Sequence, residues 1–305
     1  MAFTAKDVQT LREMTGAGMM DCKKALTDAE GDMDKAVEVL REKGLAAAAK
    51  KAGRIAAEGL VFAKVCKKSG MGAIVEVNCE TDFVAKNEDF QKFVSDLAAV
   101  IIKEKPADND ALLKCAYPDS KFTVEQTLQD KILTIGENLK LRRFDLFEEP
   151  VNVSYIHMGG KIGVLVNMEV SGINDNDAVT ALGRDICMQI AAMRPGYLKR
   201  EEVPEDVVEK EKEILLALSI NEGKPEKVAE KIVLGRINKF FEEGCLLEQA
   251  FVKENKISVG EHVKAVAREL GGSIELKKFV RFEKGEGLQK REENFAEEIE
   301  KLSRK

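Results

Sequence analysis

The chain has 305 residues, of which 44% are hydrophobic and 33% charged, with a formal net charge of -6. At this length about two domains are expected, and a hydrophobic core can form without disulfide or metal staples. The longest wholly apolar run, Leu97 to Ile102, is far short of the roughly 20 residues of a membrane-spanning helix, and no segment carries the sustained basic footprint of a nucleic-acid binder.

Residues 4–44 read as three short helices. Thr4 is a suitable N-cap for a first helix with Val8, Leu11 and Met14 on its inner face. Thr15-Gly16-Ala17-Gly18 breaks it, a second helix runs from Met19 to Ala29, and Gly31 ends that one. Asp32 caps a third helix that buries Ala36, Val37, Val39 and Leu40, with Gly44 as its C′ residue. A bundle of this size suits a docking module. Leu45 to Glu58 is Ala-rich and reads as a connecting helix with Lys50 and Lys51 on a solvated face.

The period then changes. Leu60 to Cys66 and Ala73 to Asn78 alternate apolar and polar residues around a Lys67-Lys68-Ser69-Gly70 turn, which predicts a β-hairpin. Glu88 to Lys103 is an amphipathic helix with Phe90, Phe93, Val94 and Leu97 inside. Thr123 to Ile135 is helical in pattern, and Leu139 to Phe147 is a strand candidate. The stretch from Gly72 to Asn78 aligns with Gly163 to Glu169, each followed by a polar turn, a helix and a proline, Pro106 and Pro195. The near-constant offset suggests a duplicated β-hairpin–α unit. Glu205 to Ile220 and Glu226 to Phe241 are amphipathic helices joined by a Gly/Pro turn, which predicts an antiparallel helical hairpin inserted in the second unit. Glu261 to Leu270 (helix) and Ile274 to Phe282 (strand) complete that unit, and residues 286–305 read as a charged helix with Leu288 on its apolar side. The expected class is α+β, divided into residues 1–55, 56–147, 148–285 with the hairpin at about 200–243, and 286–305.

Chemistry-bearing residues are scarce. The only two histidines are His157 and His262, there is no Trp, and the six cysteines form no CxxC pair. No catalytic residue, metal-ligand set or cofactor is predicted, which tilts the reading toward a protein that works by contact. The N-terminus lacks the pattern of a signal or transit peptide, so a cytoplasmic location is expected. Thr15-Gly16-Ala17-Gly18 lacks phosphate-loop spacing and reads as a turn, as does Asp175-Asn176-Asp177. Met19 and Met20 suit either core packing or an adaptable contact surface. Asn78 to Asn87 sets Phe83 and Val84 beside Asp82 in a polar turn. Phe83 either folds back into the core or protrudes as an aromatic anchor for a partner.

Two long stretches, Leu11 to Leu26 and Val75 to Lys86, resemble signatures of the bacterial elongation factor Ts family, the guanine nucleotide exchange factors of elongation factor Tu. Ile135 to Asn138, Lys161 to Val166, Gly223 to Pro225 and Arg281 to Gly287 extend the resemblance in order over essentially the whole chain. Ala250 departs from it, standing where the family usually has Pro. The resemblance implies an N-terminal ubiquitin-associated-type (UBA-like) domain, duplicated core subdomains, an inserted coiled-coil hairpin and a C-terminal module. It implies a translation elongation factor that exchanges nucleotide by binding, without covalent chemistry. Arg12, Met19 and Met20 match docking positions for the GTPase domain of Tu. Thr81, Asp82, Phe83 and Val84 match the element that displaces the nucleotide's Mg²⁺, and Ile135, Gly136 and His157 match further contacts. The implied partner is Tu, with no direct nucleic acid and no membrane. Self-association through the hairpin, or a two-plus-two assembly with Tu, is left open. A ubiquitin-associated-type adaptor without exchange activity is the competing reading; it accounts for the first 45 or so residues but not for the turn around Phe83.

Overall fold

The computed structural model describes residues 3–289. Three helices come first, α1 (Ala5–Thr15), α2 (Met19–Asp28) and α3 (Met33–Lys51). They are followed by β1 (Glu58–Val65), β2 (Gly72–Cys79), α4 (Asp82–Ala85), α5 (Glu88–Glu104), α6 (Asn109–Lys114), α7 (Val124–Ile135) and β3 (Lys140–Phe147). Then come β4 (Asn152–His157), β5 (Ile162–Ser171), α8 (Asn176–Met193), α9 (Glu205–Asn221) and α10 (Glu226–Gly244). The last elements are β6 (Ala250–Phe251), β7 (Glu254–Ser258), α11 (Val259–Glu269) and β8 (Ser273–Glu283). The class is α+β. No helix among the described residues is long and apolar enough to cross a membrane.

α1 to α3 pack around Leu11, Cys22, Leu26 and Leu40. Thr4 and Asp7 cap α1 reciprocally, each side chain accepting from the other's backbone amide. Three expectations fail here. Met14 is exposed, because it borders a cleft between the bundle and α7 rather than the bundle core. Gly44 does not end α3: it is buried, and a Cβ there would lie 3.6 Å from the Gln129 carbonyl oxygen of α7. The helix runs on past Gly44, so the expected third helix and the first part of the expected connecting helix are one; it ends at Lys51, residues 52–57 are not helical, and Glu58, expected in the connecting helix, opens β1. Lys51 is half-buried and donates to the Ile132 carbonyl at 3.0 Å.

The two principal sheets are antiparallel and three-stranded, ordered β1-β2-β3 and β4-β5-β8. α5 covers the first through Phe90, Phe93, Leu97 and Ile101, and α8 covers the second through Leu182, Ile186 and Ile190. The other faces meet through Val61, Ile74, Leu165 and Phe282. β2 is therefore buried at every position, Glu76 and Asn78 included, and is not the half-buried strand its alternation suggests. Close approach of the sheets needs two glycines. A Cβ on Gly72 would lie 2.7 Å from Leu165 Cδ1, and one on Gly163 would lie 2.5 Å from Val61 Cγ1 and 3.1 Å from Ile74 Cδ1.

α9 and α10 form the helical hairpin between α8 and β6, and β8 then returns to pair along β5. Residues Lys284–Gln289 form turn and irregular chain, so Leu288 is not in a helix; the rest of the helix expected over 286–305 lies outside the described residues.

Candidate functional site

β2 ends at Cys79, and the chain turns through Glu80 and Thr81 into the single helical turn α4. Thr81 is its N-cap, its hydroxyl accepting from the Val84 amide at 3.4 Å. Ala85 points inward and Val84 is half-buried against the first core, which leaves Phe83 on the outer side. Phe83 is 79% exposed, so of the two readings left open by the sequence, protrusion is the one observed. Asp82 pairs with Lys86 at 2.6 Å, and this bond holds its carboxyl below the usual carboxylate range. Beneath the turn, burial pushes the Cys79 thiol up to about 12, and its Sγ donates to the Thr81 carbonyl at 3.1 Å.

The turn is braced by another one. α7 ends at Ile135, and Gly136 takes the left-handed conformation at φ +85°, which sends Glu137 toward β2. The Glu80 and Thr81 amides donate to Glu137 Oε2 at 2.9 and 3.1 Å, and the Thr81 hydroxyl donates to Glu137 Oε1 at 2.6 Å. In return the Asn138 amide donates to Glu80 Oε1 at 2.6 Å. Asn138 Nδ2 donates to the Arg54 carbonyl at 2.9 Å, tying in the chain that leaves α3. Thus Ile135 (half-buried) and Gly136 (exposed) sit next to the Phe83 turn although about 50 residues separate them in sequence.

His157 ends β4 at the same edge of the sheets. Its Nδ1 lies 2.9 Å from the Tyr155 hydroxyl, and the ring is half-buried. Met158, Gly159 and Gly160 then all have positive φ, of 49°, 62° and 96°. Met158 is 68% exposed on this turn. A Cβ on Gly160 would overlap Leu60, so the turn is seated on the start of β1. Glu58, on that same strand start, pairs with Cys79 in the sheet and with Lys284 through its carboxylate. The Lys284 amide in turn donates to the Lys161 carbonyl at 2.8 Å. The start of β1 therefore supports both the Phe83 turn and the Met158 turn.

Arg12, Met19 and Met20 are exposed around the α1–α2 turn, as is Met14. Met19 and Met20 thus face solvent rather than the bundle core. No hydrogen bond among the described residues joins them to the Phe83 turn. Glu80, Glu137 and Met158 were not predicted as site residues. Met158 was signalled by a large apolar residue directly before Gly159-Gly160; Glu80 and Glu137 lie within the stretches Asn78 to Asn87 and Ile135 to Asn138, but nothing local marks them as bracing the two turns. The second histidine, His262, stacks on Phe251 with ring centroids 4.1 Å apart and belongs to the second core. The edge thus offers an exposed aromatic, an exposed thioether and backbone turns held by carboxylates, an arrangement suited to binding.

A family model described as Elongation factor TS matches residues 80–286, beginning at the Glu80 clamp. The chain belongs to the elongation factor Ts family. Elongation factor Ts of Clostridium botulinum (strain Eklund 17B / Type B) is 52% identical over 301 residues, covering 98% of both chains. That of Syntrophotalea carbinolica is 50% identical over 306 residues, covering 100% of both. That of Clostridium perfringens (strain SM101 / Type A) is 50% identical over 305 residues, 99% of this chain and 100% of the relative. These relatives extend the elongation factor Ts likeness to the first helices and to the tail. The family makes the chain a translation elongation factor.

Proposed function

We propose that the protein binds elongation factor Tu carrying GDP and promotes release of the nucleotide, remaining bound until GTP enters. The observation that carries this reading is Phe83, 79% exposed on a turn whose backbone is held by the Glu137 carboxylate. An aromatic side chain kept in water costs the free protein apolar exposure, and burying it in a partner recovers that.

A GTPase holds GDP through backbone amides at a phosphate loop and through Mg²⁺ bridging phosphate oxygens to protein ligands. Mg²⁺ demands near-ideal octahedral geometry, so small displacements of its supporting loops weaken the site. In this reading Phe83 enters between two helices of Tu with Thr81, Asp82 and Val84 around it, shifts them and disturbs that geometry. Ile135, Gly136, His157 and the neighbouring Met158 hold the wedge in register. Arg12, Met19 and Met20 dock the helical bundle on the GTPase domain. Linkage makes the effect mutual: a protein that weakens nucleotide binding is itself expelled by nucleotide to the same degree. No bond is made or broken, so no acid, base or nucleophile is required of this chain.

The same reading divides the chain into a UBA-like domain (1–55), two core subdomains (56–147 and 148–285), a coiled-coil hairpin at about 200–243, and a C-terminal module from 286. Duplication of the core is supported by the reciprocal contacts Gly72–Leu165 and Gly163–Ile74, which exchange under the same sequence offset. The hairpin carries exposed Leu218 and Leu234, which suits self-association or a two-plus-two assembly with Tu.

Size-exclusion chromatography with Tu tests the proposal. A complex that excess GDP dissolves, together with GDP release that accelerates with the concentration of this protein, is expected. A stable complex without faster release would describe an adaptor and overturn it.

A further inference from the structure

We infer that Glu137 is a positioning residue for Phe83, setting the angle at which the aromatic ring is presented; this rests on the wedge reading above. α4 has four residues, too few to hold a helical turn by its own hydrogen bonds. Val84 and Ala85 pack its inner side on the first core, and its N-terminus is held by a second device. The Thr81 hydroxyl donates to Glu137 Oε1 at 2.6 Å, which leaves an oxygen lone pair turned to the Val84 amide. Glu137 Oε2 takes the Glu80 and Thr81 amides, the last two backbone donors before α4. One carboxylate thus holds the Glu80–Thr81 segment at three points, two of them on the cap residue, and hydrogen bonds to a carboxylate are the stronger kind. Phe83 follows two residues later with its ring exposed.

The clamp is reciprocal. Glu80 Oε1 receives the Asn138 amide, so the turn carrying Gly136 and the turn carrying Phe83 cannot move independently. Glu137 lies at the rim of the molecule and outside the apolar clusters that stabilise the two sheets. Its hydrogen bonds therefore order a presented turn, and their loss should loosen that turn more than it lowers global stability. A pre-ordered anchor gains binding free energy because less freedom is lost on docking.

The test uses the full chain as E137A, E137Q, F83A and the double variant E137A/F83A. Amide hydrogen exchange of the free proteins reads the clamp, and release of fluorescent GDP from the GTPase reads its consequence. E137A should speed exchange at the Glu80, Thr81 and Val84 amides by about tenfold and slow GDP release by about tenfold. E137Q, which keeps one carbonyl acceptor, should fall between wild type and E137A. The double variant should lose little more than F83A alone, because the clamp acts through the ring. Wild-type release by E137A beside a defective F83A would overturn the inference alone. So would a loss from E137A that is as large in the F83A background as in wild type, since the carboxylate would then be acting by another route. An F83A protein as active as wild type would overturn the wedge reading and the inference with it.

Discussion

The central strands of the two sheets, β2 and β5, lead into long covering helices by different turns. Much around them is alike. The β2–β3 ladder shifts register at Glu76/Val77 and the β5–β8 ladder at Asn167/Met168, positions that correspond in the aligned strands. α5 and α8 both end on a left-handed residue other than glycine, Lys105 and Arg194, each at φ 50° and each followed by proline. Between strand and helix the two diverge. After β5 the chain passes directly through Gly172 to Asp175, which caps α8 by accepting the Ala178 amide at 2.9 Å, and Ile173 packs into the second core. After β2 the extra turn α4 is interposed before Asn87 caps α5. In the longer turn Val84 and Ala85 pack on the first core while Phe83 faces solvent. One added capped turn, braced by a carboxylate, thus adds an exposed aromatic to a connection that otherwise packs on the core.

The largest difference expected between the two halves concerns the paired buried residues Glu76 and Asn167. Glu76 is fully buried and accepts from Arg142 Nη1 at 2.8 Å, Arg143 Nε at 2.7 Å and the Gly285 amide at 2.8 Å. Glu76→Ala takes the buried carboxylate from two guanidinium groups, which keep their contacts at the 283–286 turn, and should cost about 3 kcal/mol or more, read as a fall in thermal midpoint. Asn167→Ala removes neutral hydrogen bonds to Pro150 and Asn152 and should cost about 1–2 kcal/mol. Equal losses would contradict the assignment of the larger structural role to the charged network.

Next come the glycines. Gly163→Ala forces a methyl against Val61 where the sheets meet and should destabilise by about 1–3 kcal/mol. Gly235→Ala, in α10 with nothing within 4 Å of the added carbon, should stabilise by about 0.5–1 kcal/mol through helix propensity. Chemical denaturation measures both, and a destabilising Gly235→Ala would show an undescribed contact on the hairpin.

The smallest effect compares the two ends of β2. At the far hairpin turn, hydrogen bonds from Ser69 and from the Ser69 and Lys68 amides bring the Cys66 thiol down to about 7. Cys79, beneath the Phe83 turn, is held up at about 12 by burial. Iodoacetamide at neutral pH should alkylate Cys66 first, by peptide mapping, and leave nucleotide exchange unchanged. Faster labelling at Cys79 would mean that the Phe83 turn opens in solution.

Most elements were legible because their signal is local. Period, caps and turn residues located β1, β2, β3, β8 and the helices α5, α7, α9, α10 and α11 to within a few residues, whereas β4 and the bounds of α8 were not placed. What escaped depended on contacts far along the chain. Gly44 carries a stop signal, but its helix continues because α7 packs against it. Met14 continues an apolar stripe, yet the third turn of α1 outruns its neighbours. At the site, the stretch around Phe83 stood out in the sequence, and Ile135 and Gly136 were singled out by the family resemblance. The exposure of Phe83 was not legible, since it goes with the inward packing of Val84 and Ala85 and with a brace from Glu137 more than 50 residues away, and a charged residue forming one such contact leaves no periodic trace.

The most direct test is GDP release from elongation factor Tu measured side by side with wild type, Phe83→Ala and Ile173→Ala. The wedge account predicts that Phe83→Ala slows release by about 30-fold or more, the scale of a lost aromatic anchor, with an unchanged thermal midpoint because the ring is exposed. It predicts that Ile173→Ala lowers the midpoint and leaves release intact. Release by Phe83→Ala at the wild-type rate, or equal loss from both variants, would contradict it.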